Sequence, residues 1–232
     1  RMINMDKVVR DNWKIASSAK RIVYNADYSH LRKLAKKGQK SLGFGLKFGQ
    51  VKFREVKRQK DGFLSVELNL ANNNYGLKTR MIGSQNLGSL LAAASVAELL
   101  GMDPKAIVQG LAKIEGVNGR MKLLKGVNGS KIIDDSYNSS PEAVKSALAV
   151  LAEIGGNKRI AVLGNMNELG AESKSEHYGI GLSAAKSCDM LVVIGKDAEI
   201  HTVAGAKAGG MSSDDIKIFK TPYEIGHFLK RI

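Results

Sequence analysis

The sequence has little cysteine and no long hydrophobic run. Cys188 is the single cysteine among 232 residues, which excludes an internal disulfide and a zinc site built only of cysteines. No apolar run approaches the roughly 20 residues that a membrane-spanning helix needs, and the first residues are charged rather than signal-like. We therefore expect a protein of the reducing cytoplasm, without a membrane span.

A nucleotide P-loop is also missing from the sequence. The glycine-rich stretch at 38–49 invites that interpretation, but Gln39 separates Gly38 from Lys40 and the upstream glycine is absent. A P-loop needs its Lys directly after the last Gly, because backbone amides at fixed positions cradle the phosphates. We interpret Gly43-Phe44-Gly45 instead as the end of a strand followed by a turn.

Positive charge is concentrated at the beginning of the chain. Residues 1–60 hold 17 Lys/Arg and 4 Asp/Glu, whereas residues 61–232 hold 19 and 18. Such a segment could hold nucleic acid or an anionic small molecule. Because no aromatic interleaving and no nucleic-acid motif accompany it, we interpret it as a solvated basic face and expect no nucleic-acid partner.

The first half of the chain combines helices with a small antiparallel sheet. We expect a helix over 5–19, a buried strand over 21–24 and a basic helix over 29–37. From Val51 to Met81 the apolar residues alternate with polar ones, which predicts an antiparallel meander. Its turns are predicted at Lys60-Asp61-Gly62 and at Asn72-Asn73-Asn74 with Gly76. A helix dense in small residues follows over 84–100, and another begins at Asp103-Pro104.

The second half of the chain alternates strands with helices, which predicts a parallel doubly wound sheet. Gly116-Val117-Asn118-Gly119 reads as a hinge, so we expect one domain over 1–116 and a second over 117–232. The predicted strands are 121–127, 132–135, 159–163, 190–194 and 216–219. The predicted helices are 141–153, 173–187, 198–207 and 223–231.

Two adjacent carboxylates, Asp134 and Asp135, follow a short β-branched run at 131–133. We interpret this run as a buried strand that delivers polar groups to the tip of the sheet, with Pro141 at the first position of the next helix. In open α/β sheets that tip binds ligands. The alternative is that the two carboxylates only cap a turn, and the pair alone does not decide between these interpretations.

Four motifs in register resemble the Mur ligase family, the ATP-dependent amide-forming enzymes of peptidoglycan synthesis. The motifs are Gly83-Ser84-Gln85-Asn86, Gly119-Arg120-Met121, Asp134-Asp135-Ser136-Tyr137-Asn138 through Pro141, and 162–170 with His177 beyond. The resemblance implies that 1–116 is the later part of a central P-loop-type ATPase domain with the small meander. It also implies that 117–232 is a truncated Rossmann-like C-terminal domain.

The resemblance implies an activity, its cofactors and its partners. It favours the branch of the family that joins D-alanyl-D-alanine to a UDP-N-acetylmuramoyl-tripeptide through an acyl phosphate, with ATP and Mg²⁺, in a monomeric enzyme. Implied nucleotide-binding residues are Asn86, Arg120, Asp134, Asp135, Tyr137 and Asn138. Asn165, Asn167 and Glu168 would face the incoming dipeptide, whereas we interpret His177 as a core or surface histidine because it lacks metal-like partners.

The sequence departs from the family pattern in ways that bear on activity. Gln85 stands where the family usually has His, and Asn165 where it usually has Asp. Because the P-loop is absent, we expect no catalytic residue in this chain and no ligation by the chain alone. A degenerate nucleotide- or protein-binding module and a folate-polyglutamate-synthase-like ligase are the alternative interpretations.

Overall fold

The computed structural model describes residues 5–35, 40–59 and 61–232. They form two compact units: the first holds the described residues up to Gln59 and the range Phe63–Glu115, and the second holds Asp61, Gly62 and Gly116–Ile232. Both units mix helices with strands, so the predicted α/β class is confirmed. Within the described ranges, no helix has the length and apolar character needed to cross a membrane. The assignment of 1–116 and 117–232 to particular domains stays a prediction.

The first unit begins with helix α1 (Met5–Ser17), strand β1 (Arg21–Asn25), helix α2 (Ser29–Ala35) and strand β2 (Lys40–Phe44). β1 and β2 pair in parallel. The expectation that β1 is buried holds only for Ile22, since Arg21 is exposed and Val23 and Tyr24 are half-buried. Residues 36–39, which contain the end of the predicted second helix and the Gly38-Gln39 pair, lie outside the described residues.

The predicted meander is confirmed as β3 (Lys52–Arg58), β4 (Leu64–Leu70) and β5 (Asn73–Lys78), all antiparallel. Leu68 and Leu70 of β4 are fully buried, as the two-residue period predicts. The second turn was predicted wrongly. It consists of Ala71 and Asn72, whose φ angles of 48° and 63° are those of a two-residue hairpin loop, and Asn73 already pairs with Leu70 in the ladder.

Two helices complete the core of the first unit. α3 (Leu87–Leu99) follows a short 3-10 turn over Ser84–Asn86, and α4 (Pro104–Ala112) is capped by the Asp103 side chain. α3 packs on α4 and on strands β1 and β2. Its buried residues join those of the meander in one hydrophobic cluster that includes Leu87, Leu90, Leu91, Ala94, Ile107 and Leu111.

The second unit opens with a hairpin, β6 (Lys122–Lys125) and β7 (Lys131–Asp134), paired antiparallel. Our interpretation of 131–133 as a buried strand of the parallel sheet is therefore wrong. Ile132 is 48% exposed, and among the described strands β7 pairs with β6 alone. The five residues between β6 and β7 allow only antiparallel pairing, since a parallel crossover needs a dozen residues or more.

The rest of the second unit is the predicted parallel α/β layer. Strands β8 (Ile160–Leu163), β9 (Met190–Ile194) and β10 (Ile216–Phe219) are parallel in the order β10-β9-β8. The helices are α5 (Pro141–Ile154), α6 (Ser173–Ser187), α7 (Val203–Ala208), which a π-helical turn over Ala198–Thr202 precedes, and α8 (Pro222–Leu229).

Both faces of this three-stranded sheet are covered, as in a doubly wound fold. Leu191 and Val193 of β9 lie in a cluster with α5, α6 and α7, whereas Met190 and Val192 lie in a second cluster with Ile225 of α8. The loop over 164–170 follows the carboxyl end of β8, and Gly195 follows that of β9. This edge of the sheet is where α/β proteins bind ligands.

Candidate functional site

The Asp134 and Asp135 carboxylates hold the turn that precedes β6. Asp134 Oδ2 accepts a hydrogen bond from the Gly119 amide at 2.9 Å, and Asp135 Oδ1 accepts one from the Met121 amide at 2.9 Å. The Tyr137 amide donates back to the Gly119 carbonyl oxygen at 3.0 Å. The motif around Arg120 and the motif around Asp135 are thus brought together.

The turn itself has a demanding backbone. Gly119 and Met121 have φ angles of +71° and +51°, in the left-handed region. A Cβ on Gly119 would lie 3.1 Å from the Tyr137 N and Cβ atoms. Both residues with positive φ donate their amides to a carboxylate, so the Asp pair stabilises a conformation that side chains disfavour.

Both carboxylate oxygens of Asp134 accept hydrogen bonds from protein groups. Its Oδ1 accepts from the Ser136 hydroxyl at 2.7 Å and from the Ser136 amide at 3.2 Å. The Ser136 hydroxyl is the main cause that holds the pKa of Asp134 below its ordinary value, and the Gly119 amide and the Lys122 charge act in the same direction. Asp134 therefore acts as a structural carboxylate.

Asp135, Arg120 and Tyr137 are arranged differently. Asp135 is half-buried, and its Oδ2 has no hydrogen-bond partner within the described residues. The Arg120 guanidinium stacks on the Tyr137 ring with its Cζ 4.0 Å from the centroid, while Tyr137 is 72% exposed. A carboxylate oxygen, a cation and an aromatic ring at one turn suit the hydroxyls, phosphates and base of a nucleotide.

Asn138 and Asn86 are occupied locally. The exposed Asn138 accepts from the Ser139 amide through Oδ1 at 2.8 Å. In the other unit, the half-buried Asn86 side chain donates through Nδ2 to the Ile82 carbonyl oxygen at 2.8 Å, just before α3. Asn86 thus fixes the entry to α3, and its side-chain oxygen has no partner within the described residues.

The loop over 164–170 combines anchored and exposed side chains. Asn165 Oδ1 accepts from the Ala198 amide at 3.0 Å, so Asn165 caps the helical segment after β9. Asn167 and Glu168 are exposed, and their side chains form no hydrogen bond with the rest of the described chain. Glu168 has a φ of +64°. These two side chains are the ones that the loop presents to solvent.

A network behind this loop was not predicted from the sequence. The buried His177 accepts from the Met166 amide through Nε2 at 2.9 Å, and Ser173 joins His177 to Asp197. Our interpretation of His177 as a core or surface histidine is resolved in favour of the core, with 0% exposure. The spacing of Ser173 and His177 by four residues on one helix was the available signal.

A further carboxylate, that of Asp27, lies against the described part of the glycine-rich stretch at 38–49. Its oxygens accept from the Leu46, Lys47 and Phe48 amides at 2.7, 2.9 and 2.9 Å. Burial raises the pKa of Asp27, but these backbone donors outweigh it and hold the pKa below its ordinary value. The amides that could cradle an anion are thus already bound to the protein's own carboxylate.

No group of three or more His, Cys, Asp or Glu side chains that could hold a metal ion is present in the described ranges. Cys188 is buried, and this burial raises the pKa of its thiol to about 11. A thiol of this kind is a poor nucleophile near neutral pH.

The comparisons with known proteins agree with these motifs. Residues 119–228 match the family model "Mur ligase, glutamate ligase domain". The UDP-N-acetylmuramoyl-tripeptide–D-alanyl-D-alanine ligase of Escherichia coli (strain K12) is 36% identical over 129 residues, which is 55% of this chain and 28% of that protein. The same ligase of Bacillus subtilis (strain 168) is 31% identical over 44% of this chain and 22% of its own length.

Solved structures extend the likeness to nearly the whole chain. A MurF structure from Acinetobacter baumannii is 26% identical with a TM-score of 0.82, covering 97% of this chain and 49% of that one. MurF from Thermotoga maritima, in complex with ADP, is 25% identical with a TM-score of 0.76, covering 98% and 51%. The chain thus spans about half the length of these structures and less of the curated relatives. Its fold is that of Mur ligases, and residues 119–228 belong to this family as its glutamate ligase domain.

Proposed function

We propose that the chain is the later part of an ATP-dependent amide ligase of peptidoglycan synthesis, which adds D-alanyl-D-alanine to a UDP-N-acetylmuramoyl-tripeptide. The relatives that carry this activity in their names support the proposal, as do the four motifs in register. One observation carries it on this chain. Arg120, Asp135 and Tyr137 converge at one turn of the glutamate ligase domain in a form that suits a nucleotide.

The reaction that the resemblance implies has two steps. ATP phosphorylates the acceptor carboxylate, and the amine of D-alanyl-D-alanine then attacks the acyl phosphate with release of phosphate. Binding of the two substrates in a near-attack geometry supplies a large part of such catalysis. The part of this chain is to hold the nucleotide and the dipeptide, because it carries no P-loop of its own.

The nucleotide would bind chiefly through the second unit. The unpartnered Oδ2 of Asp135 is suited to accept from the ribose hydroxyls, and Arg120 is suited to the ribose or the phosphates. Tyr137 and Asn138 would flank the base. Asn86 is the nucleotide-binding residue that the resemblance implies for the first unit. Asp134 would support this site through the turn rather than by touching the nucleotide.

The dipeptide would bind at the loop over 164–170. Asn167 and Glu168 are its exposed polar side chains, and a carboxylate such as that of Glu168 suits the amino group of D-alanyl-D-alanine. Asn165 supports the loop as a helix cap, and an Asn in place of the usual Asp keeps the acceptor that this role needs.

Mg²⁺ is expected for the complete ligase, in which it would neutralise charge on the phosphates. Mg²⁺ commonly takes one or two carboxylates together with substrate phosphates, and we assign no residue of this chain to it. The cytoplasm as location, the monomeric state and the absence of a nucleic-acid partner belong to the same proposal.

The proposal is tested with the complete protein that contains this chain. Phosphate release should require ATP, UDP-N-acetylmuramoyl-tripeptide and D-alanyl-D-alanine together. A protein that binds ATP but releases no phosphate with any substrate would be the non-catalytic module. Phosphate release with a folate and glutamate in place of the cell-wall substrates would identify the folate-type ligase.

A further inference from the structure

His177 lies outside the proposed nucleotide and dipeptide contacts, yet both nitrogens of its ring have hydrogen-bond partners. It is completely buried in α6. Its Nε2 accepts from the Met166 amide at 2.9 Å, and its Nδ1 lies 2.8 Å from the Ser173 carbonyl oxygen and 3.2 Å from the Ser173 hydroxyl. Every polar atom of the ring is therefore used.

The protein partners fix the tautomer of this histidine. The Met166 amide can only donate, so Nε2 must carry its lone pair and the ring proton must sit on Nδ1. Nδ1–H then donates to the Ser173 carbonyl oxygen, which is an acceptor only. The neutral Nδ1–H ring is thus a bridge between the first turn of α6 and the loop that follows β8.

The network continues to the neighbouring strand. The Ser173 hydroxyl donates to Asp197 Oδ2 at 2.7 Å, and the adjacent Ala198 amide donates to Asn165 Oδ1 at 3.0 Å. The loop over 164–170 is therefore tied at two successive residues, Asn165 and Met166, to the segments that follow β9 and that begin α6. These bonds join the loop over 164–170, the segment that follows β9 and the beginning of α6 at the carboxyl edge of the sheet.

The loop needs such ties because part of its backbone is unfavourable. Glu168 has a φ of +64°, and a non-glycine residue persists in this strained region only where its surroundings hold it. Met166 lies just before the exposed Asn167 and Glu168, and it is 3% exposed. Leu169 lies just after them, and its carbonyl oxygen accepts a hydrogen bond from the Glu172 amide. Asn167 and Glu168 thus lie between two fixed points.

We infer that His177 is a positioning residue for the dipeptide subsite: through the Met166 amide it holds the loop that presents Asn167 and Glu168. The inference rests on the proposed function for the identity of the dipeptide. The anchoring itself does not depend on it, so the two parts are measured separately.

Two amide substitutions separate the two nitrogens of the ring. In His177→Gln the side-chain amide reaches the position of Nε2 and can accept from Met166. In His177→Asn the shorter amide reaches only the position of Nδ1 and leaves the Met166 amide without an acceptor. Both variants put a neutral polar amide into the same buried site, so each is the matched control for the other.

The first measurement is hydrogen exchange of the Met166 amide, by NMR on the full 232-residue chain. We expect exchange in His177→Gln to stay within about threefold of the unsubstituted chain and in His177→Asn to accelerate by about tenfold or more, since one buried hydrogen bond is lost. The amides of Leu191 and Val193 in β9 report on global unfolding, so the acceleration at Met166 is measured relative to theirs.

The second measurement is ligation by the complete enzyme. We expect His177→Asn to raise the KM for D-alanyl-D-alanine about tenfold, with the KM for ATP changed less than about twofold, and His177→Gln to restore the dipeptide KM. A residue that only supports the fold would lower the apparent kcat through the amount of active enzyme and would leave both KM values unchanged.

The inference would be overturned if the Met166 amide exchanged at the same rate in His177→Asn as in the unsubstituted chain. It would also be overturned if an active His177→Asn enzyme had the same KM for D-alanyl-D-alanine as the unsubstituted enzyme. If His177→Asn does not fold, the His177→Gln variant tests the inference by itself. A folded His177→Gln protein whose Met166 amide is not protected from exchange would contradict the proposed role of His177 in holding the loop. A complete protein without D-alanyl-D-alanine ligation would instead overturn the proposed function, and the exchange contrast would still show whether His177 anchors the loop.

Discussion

Asp135 accepts the amide hydrogen bond of Met121 at 2.9 Å, across the turn that carries Arg120. The carboxylate proposed for the ribose therefore also holds the backbone that presents the proposed phosphate-binding cation. Within the described residues, both oxygens of its neighbour Asp134 accept hydrogen bonds from the protein. The turn-cap interpretation thus describes both carboxylates, and the ligand-contact interpretation is proposed only for Oδ2 of Asp135.

This double use of Asp135 leads to a paired prediction. Replacing Asp135 by Ala in the complete enzyme removes both the ribose contact and the turn contact, so we expect the KM for ATP to rise about tenfold or more and the melting temperature to fall. Asp135→Asn keeps an acceptor for the Met121 amide, so its melting temperature should stay close to that of the unsubstituted protein.

The Asn variant separates the two roles, because the Asn side chain can still accept one bond but lacks the charge. We expect its KM for ATP to rise several-fold, about half of the Ala effect in free energy. Steady-state kinetics and thermal melts measure both quantities. An ATP KM that is unchanged in both variants would remove Asp135 from the nucleotide site.

The backbone of the same turn gives a second prediction, at Gly119. In Gly119→Ala the residue has a φ of +71°, and its new Cβ lies 3.1 Å from the N and Cβ atoms of Tyr137. Gly129 is the matched control, because its φ is +75° but no heavy atom lies within 4 Å of its Cβ position. We expect Gly129→Ala to cost about 1–2 kcal/mol from φ alone and Gly119→Ala to cost more.

The Gly119 variant should also affect nucleotide binding, since the crowded residue is Tyr137. Urea unfolding gives the free energies, and titration with a fluorescent ATP analogue gives the affinity of the complete enzyme. Equal destabilisation by the two variants would mean that the contact with Tyr137 relaxes without cost.

The sequence predicted some strands of the fold better than others. β9 and β10 were predicted with their observed bounds, because short apolar runs between capped helices are typical of buried parallel strands. β7 was predicted as buried because Ile132 and Ile133 are apolar, but apolar character does not say which sheet covers a strand. The connection over 126–130 was the better indicator, since Asn128 and Gly129 adopt the positive φ angles of a hairpin turn.

The candidate site was predictable only in its exposed chemistry. Arg120, Asp135 and Tyr137 belong to recognisable motifs, and these are close in space because the hairpin aligns Lys122 with Asp134. Of the His177 network, only the Ser173–His177 pair on α6 has a signal in the sequence, because Met166 and Asp197 come from two other segments. Which of two adjacent carboxylates keeps a free oxygen also depends on the turn geometry, which no spacing in the sequence encodes.

The third prediction concerns acid stability at the amino-terminal edge of β8 and β9. Arg159 Nη2 lies 2.7 Å from Asp189 Oδ1, and the Arg159 amide donates to Oδ2 at 2.8 Å. The hydrogen bonds from Arg159 lower the pKa of the Asp189 carboxyl from 3.8 to about 2. Because the folded pKa lies below the unfolded one, the stabilisation is complete above about pH 4 and is lost as the pH falls towards about 2.

The measurement is the difference in melting temperature between the unsubstituted protein and Asp189→Asn. We expect a small difference near neutral pH, since both side chains are about a third or more exposed, and a steady decrease as the pH falls below about 4. Asp214→Asn is the control, because Asp214 is exposed and forms no ion pair within the described residues. A difference that is independent of pH would contradict the role of the carboxylate charge.

The last prediction tests the contact between α6 and α7, which carries the support of the loop over 164–170. A Cβ on Gly181 would lie against the Thr202 carbonyl oxygen and 2.6 Å from the Ala206 amide nitrogen, so the two helices touch through backbone atoms. Gly179, in the same helix, has no heavy atom within 4 Å of its Cβ position. Ala is the better helix former, so Gly179→Ala should stabilise the protein by about 0.5–1 kcal/mol.

Gly181→Ala has the same gain in helix propensity but must push α7 away from α6. We expect a net loss of about 2 kcal/mol or more, because interiors are close-packed and backbone atoms cannot yield as a flexible side chain does. Since His177 lies one turn before Gly181 in α6, the variant should also accelerate exchange of the Met166 amide, whereas Gly179→Ala should not. Two variants of equal stability would show that the helices separate freely, and α6 could then not serve as the rigid support on which His177 positions the loop.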